Sequence, residues 1–304
     1  MDVAVLARTK FSPDTPYGIA MPHPIRFAFS PCPNDTFSFH ALVRKLIPTG
    51  DFSISAELAD VETLNQAARA GRYDMTKLSF AALGHLLDRY ALLRSGAALG
   101  RGCGPLVVAR PGFDPARLAG APVAIPGAWT TAALLLGLYR GGPGPTAAMP
   151  FDQILPAVAE GRFDAGVIIH EGRFTFGAHG LVEVIDLGEW WESETGLPIP
   201  LGGIAVRRDL GPEAAAVLEQ AVRESVAHAF ANPDASADYV RDHAQEMEPE
   251  VVRRHIDLYV TDFSMELGQE GEAAVSGLLD RARAAGLIPD ADLPVYSAGT
   301  DFGR

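Results

Sequence analysis

A chain of 304 residues exceeds the usual size of one compact core, so two lobes are the starting expectation. Its 48% hydrophobic and 21% charged residues are those of an ordinary globular protein and exclude a disordered or fibrous one. The net charge of -13, with no Lys/Arg run, excludes nucleic acid as a general partner, because a phosphate backbone is repelled; an anionic small molecule needs only a local cluster of donors.

Residues 1–22 show no strand or helix pattern and neither the apolar core nor the cleavage site of an export signal. They are expected to be a disordered arm or the product of an upstream start. No apolar stretch approaches the roughly 18 residues of a membrane span, so no membrane insertion is expected. A strand is predicted over 25–29, then the turn-rich loop Pro31-Cys32-Pro33-Asn34-Asp35, then a helix over 36–46 with Asp35 as the default N-cap. A strand over 52–58 follows, and Asp60 caps a helix over 61–70 that stops at Gly71. An apolar step over 73–78, a helix over 79–90 and an apolar strand over 105–109 complete the first stretch.

The Pro111-Gly112-Phe113-Asp114-Pro115 cluster offers a boundary, after which a fresh series begins: strand 123–125, a Pro-Gly loop, helix 130–139, helix 151–160, and strands 167–169 and 181–186. Strand 204–207 resumes after Gly202-Gly203, and the remainder reads as amphipathic helices at 212–231, 234–245, 249–260 and 270–285. The expected division is therefore a discontinuous first lobe of 23–110 and 203–304, with 111–202 as the second. The C-terminal helices either support a homodimer or simply cover the first lobe.

One internal echo bears on function. The run Ala67-Ala68-Arg69-Ala70-Gly71-Arg72-Tyr73-Asp74 returns as Ala157-Val158-Ala159-Glu160-Gly161-Arg162-Phe163-Asp164, each a helix end, a Gly stop and an aromatic-Asp entry to a strand. One such unit per lobe puts Lys77-Leu78-Ser79 and Ile168-Ile169-His170 at comparable strand ends. In open α/β sheets those carboxyl ends border the ligand crevice. The plainer alternative is a common way of leaving a helix.

Candidate chemistry concentrates at these points. His170 stands where an apolar strand opens into a loop, and partial burial there would keep its imidazole neutral, ready to accept a proton; the alternative is a histidine bonded to a backbone carbonyl. Thr130 and Thr131 begin a helix, where hydroxyls and free N–H groups make a carboxylate seat or an ordinary cap. Lys77, two residues before Ser79 in an apolar stretch, is either a lone cation for an anion or a side chain reaching to water. Asn34 lies on a loop stiffened by two prolines, as expected where backbone faces a ligand. Trp190 and Trp191 read as core or interface, with lining the cleft as the alternative, and His40, His85, His179, His228, His243 and His255 as structural. Cys32 and Cys103 have no zinc-like spacing, so no metal is expected; their use fits a reducing cytoplasm, with a bridge between them left open. No P-loop, Gly-x-Ser-x-Gly elbow or Rossmann fingerprint occurs.

The stretches Phe29-Ser30-Pro31-Cys32-Pro33-Asn34-Asp35-Thr36-Phe37, Thr76-Lys77-Leu78-Ser79, Arg94-Ser95-Gly96-Ala97-Ala98-Leu99-Gly100-Arg101-Gly102, Thr130-Thr131 and Ile168-Ile169-His170-Glu171 together resemble the 1,4-dihydroxy-6-naphthoate synthase family of menaquinone biosynthesis. The resemblance implies an α/β, two-lobed fold like type II periplasmic binding proteins, with a central cleft. It implies a cytoplasmic lyase that converts cyclic dehypoxanthinyl futalosine to 1,4-dihydroxy-6-naphthoate and releases dihydroxyacetone, without metal or organic cofactor. By that likeness His170 is the proton acceptor, and Lys77, Leu78, Ser79, Thr130 and Thr131 line the substrate site. Thr130-Thr131 would seat an aryl carboxylate, and Ser79 and Asn34 would meet the sugar-derived hydroxyls. Two rivals remain: a binding protein of the same fold that does no chemistry, and a sister chorismate dehydratase.

Overall fold

The computed structural model describes residues 23–244 and 248–297. The arm expected at 1–22 lies outside the described residues. The chain opens with β1 (His23–Phe29), α1 (Pro33–Val43), β2 (Phe52–Leu58), α2 (Val61–Arg69), β3 (Met75–Ser79), α3 (Phe80–His85), β4 (Tyr90–Leu92) and β5 (Ala98–Gly100). Its middle holds β6 (Leu106–Ala109), β7 (Val123–Ile125), α4 (Thr131–Tyr139), β8 (Thr146–Ala148), α5 (Ile154–Ala159), β9 (Ala165–Ile168), α6 (Gly172–Thr175), β10 (Val182–Asp186) and α7 (Leu187–Thr195). It returns through β11 (Ile199–Arg207) to α8 (Pro212–Ala231), α9 (Ala237–His243), α10 (Pro249–Tyr259), α11 (Asp262–Met265) and α12 (Gly268–Ala284).

These strands form two sheets. The first runs β2-β1-β3-β11-β4, with β5 also paired to β11; the second runs β8-β7-β9-β6-β10. Order and sense repeat: β1 is parallel to β2 and β3 as β7 is to β8 and β9, and β11 is antiparallel to β3 as β6 is to β9. Thus β3 and β9, the strands that follow the two copies of the sequence echo, hold the same inner position. The fold is a two-lobed α/β one of the type II binding-protein kind.

The sheets divide the chain differently from the expected 110/111 and 202/203 boundaries. β6 belongs to the second sheet, so the outward crossing lies between Gly100 and Leu106, and the Pro111-Gly112 turn falls inside the second lobe. β11 begins at Ile199 in the first sheet, so the return lies before Gly202. The strong turn at Pro111-Gly112 marks a bend within a lobe, whereas the crossings run through Arg101-Gly102-Cys103-Gly104-Pro105 and Gly196-Leu197-Pro198, whose own Gly and Pro residues look no different in sequence.

Other differences are local. α1 starts at Pro33, whose fixed φ suits a first helical position, and this takes Asn34 and Asp35 into its first turn; Cys32, not Asp35, is the N-cap. The helix expected over 79–90 stops at His85, because the chain turns into edge strand β4, where the Tyr90 hydroxyl donates to the Tyr73 carbonyl at 2.7 Å. Strands β4, β5 and β8, each three residues long, are too short to show alternation.

Burial explains why the first sheet holds. Ile25, Phe27 and Phe29 alternate onto one face of β1 and meet Phe39 of α1 and Leu218 and Val222 of α8. Phe27, Phe29 and Phe39 pack with centroids 4.9 to 5.3 Å apart. Burying each such side chain is worth about 1.5–3 kcal/mol. A second core joins both lobes, from Leu78 and Phe80 through Val107 and Leu135 to Trp191 and Leu278. α12 packs on α3, α4 and β11, so the C-terminal helices cover the body of the protein. The Arg94 motif ties them down: its guanidinium pairs with Glu272 at 2.7 Å, and its N–H donates to Glu219 at 2.7 Å. Among the described residues no helix is long and apolar enough to cross a membrane.

Candidate active site

The carboxyl ends of β1, β3 and β9 converge on a cleft between the sheets, closed by the first turns of α1 and α4 and by Tyr259 at the end of α10. Ser30, Asn34, Lys77, Ser79, Thr130 and His170 all line it. β11 forms its floor at Leu201 and Gly202, and Gly202 is required there: a Cβ would stand 2.7 Å from the Leu78 carbonyl oxygen.

On the first lobe the site is built around Asp35. One carboxylate oxygen accepts from Lys77 Nζ at 2.6 Å and Asn34 Nδ2 at 2.9 Å; the other accepts from Ser30 Oγ at 2.7 Å and Ser30 N at 3.2 Å. Both members of the Lys77–Asp35 pair are buried, so the attraction is little screened and every bond satisfies a lone pair that water cannot reach. Lys77 is therefore neither a lone cation nor a side chain reaching to water. It is a paired buried charge with two further hydrogens on Nζ.

Ser79 caps α3 through Ala82 N and donates to the Trp129 carbonyl in the opposite lobe. Asn65 supports both ends of that contact, donating to the Trp129 carbonyl at 3.2 Å and accepting from Ser79 N at 3.2 Å. Thr131 Oγ1 accepts from Phe80 N at 2.9 Å and donates to the Leu201 carbonyl at 2.6 Å, a second tie between the lobes. Thr130 caps α4 through Ala133 N, so the capping alternative is realised while both threonines still face the cleft. Leu78 turns away from Lys77 and Ser79, and its side chain packs in the core.

His170 follows β9 at a φ of 55°, in the left-handed region that a side chain other than glycine rarely occupies. Its ring lies against Cys32, with Sγ 3.5 Å from Nδ1 and 3.9 Å from Nε2. Phe151 meets it edge-on at 5.2 Å, and His255 of α10 stacks on it at 6.2 Å. Burial works against the charged ring, yet the Cys32 sulfur, then Glu171 and Asp35, outweigh it and raise His170 to about 9. The expectation that burial would keep this imidazole neutral is thereby reversed, because the neighbouring groups together exceed the desolvation. His255, fully buried with Nε2 3.0 Å from Asn34 Oδ1, shifts the other way, burial and the charge on His170 pushing it down to about 3.

Three of these residues escaped the sequence reading. The sequence offers Cys32 only as a disulfide or metal candidate, and both cysteines are free. His255 and Tyr259 were read as structural or passed over. Their i, i+4 spacing on one helix face is the only local hint that they act together, and nothing in the sequence says which face meets the cleft. Trp191 is core as expected, fully buried with its N–H on the Pro198 carbonyl at 3.1 Å. Arg173, three residues after His170, braces the loop by pairing with Asp186 at 2.5 Å and donating to the Gly104 carbonyl at 2.6 Å.

Comparison with known proteins agrees with this geometry. The solved structure of the alkanesulfonate-binding protein from Xanthomonas axonopodis pv. citri (TM-score 0.65, 17% identity, 89% of this chain and 96% of that one) shares the fold. Protein AF1704 from Archaeoglobus fulgidus is nearer, with TM-score 0.82 and 38% identity over 88% of this chain and 99% of that one. Two curated relatives are described as 1,4-dihydroxy-6-naphthoate synthase. The one from Thermus thermophilus is 51% identical, covering 90% of this chain and 98% of its own, and the one from Streptomyces coelicolor is 49% identical, covering 87% and 95%. With the sequence profile described as menaquinone biosynthesis matching residues 25–284, the chain belongs to that menaquinone-biosynthesis family.

Proposed function

We propose that this chain is a carbon–carbon lyase that converts cyclic dehypoxanthinyl futalosine to 1,4-dihydroxy-6-naphthoate with release of dihydroxyacetone, His170 being the proton acceptor. The observation that carries the reading is a titratable ring held in a strained backbone conformation at the mouth of the inter-lobe cleft. Strain of that kind concentrates where a side chain must be aimed at a ligand. Taking a proton while a carbon–carbon bond breaks needs a positioned base and a site from which water is excluded. The Ser79–Trp129 and Thr131–Leu201 bonds hold the lobes closed around that site.

The substrate carboxylate is placed at the first turn of α4, beside Thr130 and Thr131, where N–H groups lack intrahelical partners. Asn34 Nδ2 keeps one hydrogen beyond the one given to Asp35, and Lys77 keeps two; these meet the sugar-derived hydroxyls together with Ser79. Leu78 contributes main chain only. The same reading places the enzyme in the cytoplasm, with an anionic small molecule as its partner.

The test is a spectroscopic assay of naphthoate formation from the cyclic futalosine derivative, run on wild type and His170→Ala together. Wild type is expected to form naphthoate, and the variant to lose about 10²–10⁴ in turnover while still binding substrate. Turnover equal to wild type removes His170 from the reaction. Absence of naphthoate with wild type removes the lyase reading.

A further inference from the structure

We propose that Cys32 is the proton partner of His170, so that the group receiving the substrate proton is a sulfur–imidazole pair. The proposal rests on His170 being the acceptor and adds the residue that makes it one. The geometry is specific. Sγ lies within reach of both ring nitrogens, nearer Nδ1, and the two side chains meet where the substrate cleft adjoins a second cavity lined by Pro31, Cys32, Phe151 and Glu171. His170 lines both cavities.

The sulfur is held in place. Pro31 and Pro33 flank Cys32 and limit the backbone on either side. Its carbonyl accepts from Asp35 N at 3.1 Å and Thr36 N at 3.0 Å, and its N–H donates to Ser30 Oγ at 3.4 Å. As the N-cap of an eleven-residue helix it makes no side-chain cap bond, so the sulfur is free to face the imidazole. Cys103, by contrast, is buried among apolar groups, which pushes its thiol up to about 12.

The groups facing His170 come from several elements: Asp35 of α1 with its Lys77 partner from β3, Glu171 of its own loop, and His255 and Tyr259 of α10. Lys77 is paired with Asp35 and His255 is uncharged, so after burial, which lowers it, the sulfur in contact is the largest influence raising His170. In the proton transfer the substrate's hydrogen passes to the imidazole nitrogen and its electron pair stays on substrate. The imidazolium so formed stands against the Cys32 sulfur, as a carboxylate stands beside histidine in a serine-enzyme triad. The proton returns from the ring to the product or the released fragment.

The experiment titrates the His170 ring by NMR, assigned through His170→Ala, and measures kcat/KM against pH in wild type, Cys32→Ala, Cys32→Ser and Cys32→Asp. Since the base must be neutral, wild-type kcat/KM rises with pH toward about 9. Removing the sulfur leaves burial dominant, so Cys32→Ala and Cys32→Ser are expected to lower both the titration point and the acid limb by about 1–3 pH units. Cys32→Asp, a good N-cap with a negative charge, is expected to keep them near the wild-type values. A residue that merely fills space would be replaced better by serine than by aspartate. If either the titration or the limb stays unmoved in Cys32→Ala while His170→Ala is inactive, the pair is overturned and the acceptor role of His170 stands. An active His170→Ala overturns the acceptor reading itself.

Discussion

The two lobes present the same strand order and sense, with β3 and β9 in equivalent inner positions, yet their strand ends do opposite things. β3 ends in charges already matched: Lys77 on Asp35, Ser79 capping α3 and reaching the Trp129 carbonyl. β9 ends in a titratable ring at positive φ, against a sulfur and below a second histidine. The repeated scaffold therefore supplies position, and the residue at the strand end decides whether that position holds a matched charge or a titratable ring. On the proposed reading the first lobe brings matched charges and the Cys32 sulfur to the cleft, and the second brings the proton acceptor and the carboxylate seat.

The largest stability effect is expected on the fixed side. Asp35→Ala removes the acceptor of four donors and leaves Lys77 charged and buried, a loss of about 3–5 kcal/mol. Urea unfolding measures it, with Lys77→Met added as the second change. The double variant is expected to recover much of the loss, because no uncompensated charge then remains. If Asp35→Ala costs less than about 1 kcal/mol, the first lobe does not depend on matched charge, and the contrast with the second lobe fails.

How much of this was legible beforehand differs between the lobes in an instructive way. The echo around Gly71 and Gly161 located both strand ends, because a helix stop and a strand entry are local features that composition and period reveal. The role of Asp60 as N-cap was equally local, and its side chain accepts from Glu62 N and Thr63 N. Asp35 looked the same in sequence but is drawn into the helix by Pro33 and claimed by Lys77, forty-two positions away. Cys32 and His255 meet His170 only through tertiary packing, so no spacing could disclose them. The lobe boundaries misled for a related reason: turn chemistry reports where the chain bends, not where it changes sheet.

Acidification separates the two histidines of the site. His255 is neutral in the folded protein and free to charge once unfolded, so its contribution is present above pH 6.5 and is lost as pH falls from there toward about 3. His170 works with the opposite sign: its folded value is raised, so its contribution is present below pH 6.5 and is lost as pH rises through about 9. Replacing His255 by Phe is expected to reduce the acid-side slope of unfolding free energy by up to about 1.4 kcal/mol per pH unit, the linkage of one proton. Identical slopes in the two proteins between pH 6 and about 4 would mean that His255 charges in place, and that the stack on His170 does not hold it neutral.

The smallest effect isolates the strain at His170 from its chemistry. An L-residue other than glycine held at φ 55° costs about 1–2 kcal/mol relative to the right-handed region, whereas glycine occupies this conformation without a Cβ clash. His170→Ala and His170→Gly both remove the imidazole and are expected to be equally inactive in naphthoate formation. They differ in backbone alone. His170→Gly is expected to be the more stable of the two by about 0.5–1 kcal/mol in thermal or urea unfolding, the relief being offset in part by glycine's freedom in the unfolded chain. That sign would mean the turn after β9 keeps its left-handed form whatever side chain it bears, and that the lobe holds a ring there at a cost in stability. The reverse order, with alanine the more stable, would mean that the imidazole itself draws the backbone into this conformation, and the second lobe would then differ from the first by its side chain and not by its turn.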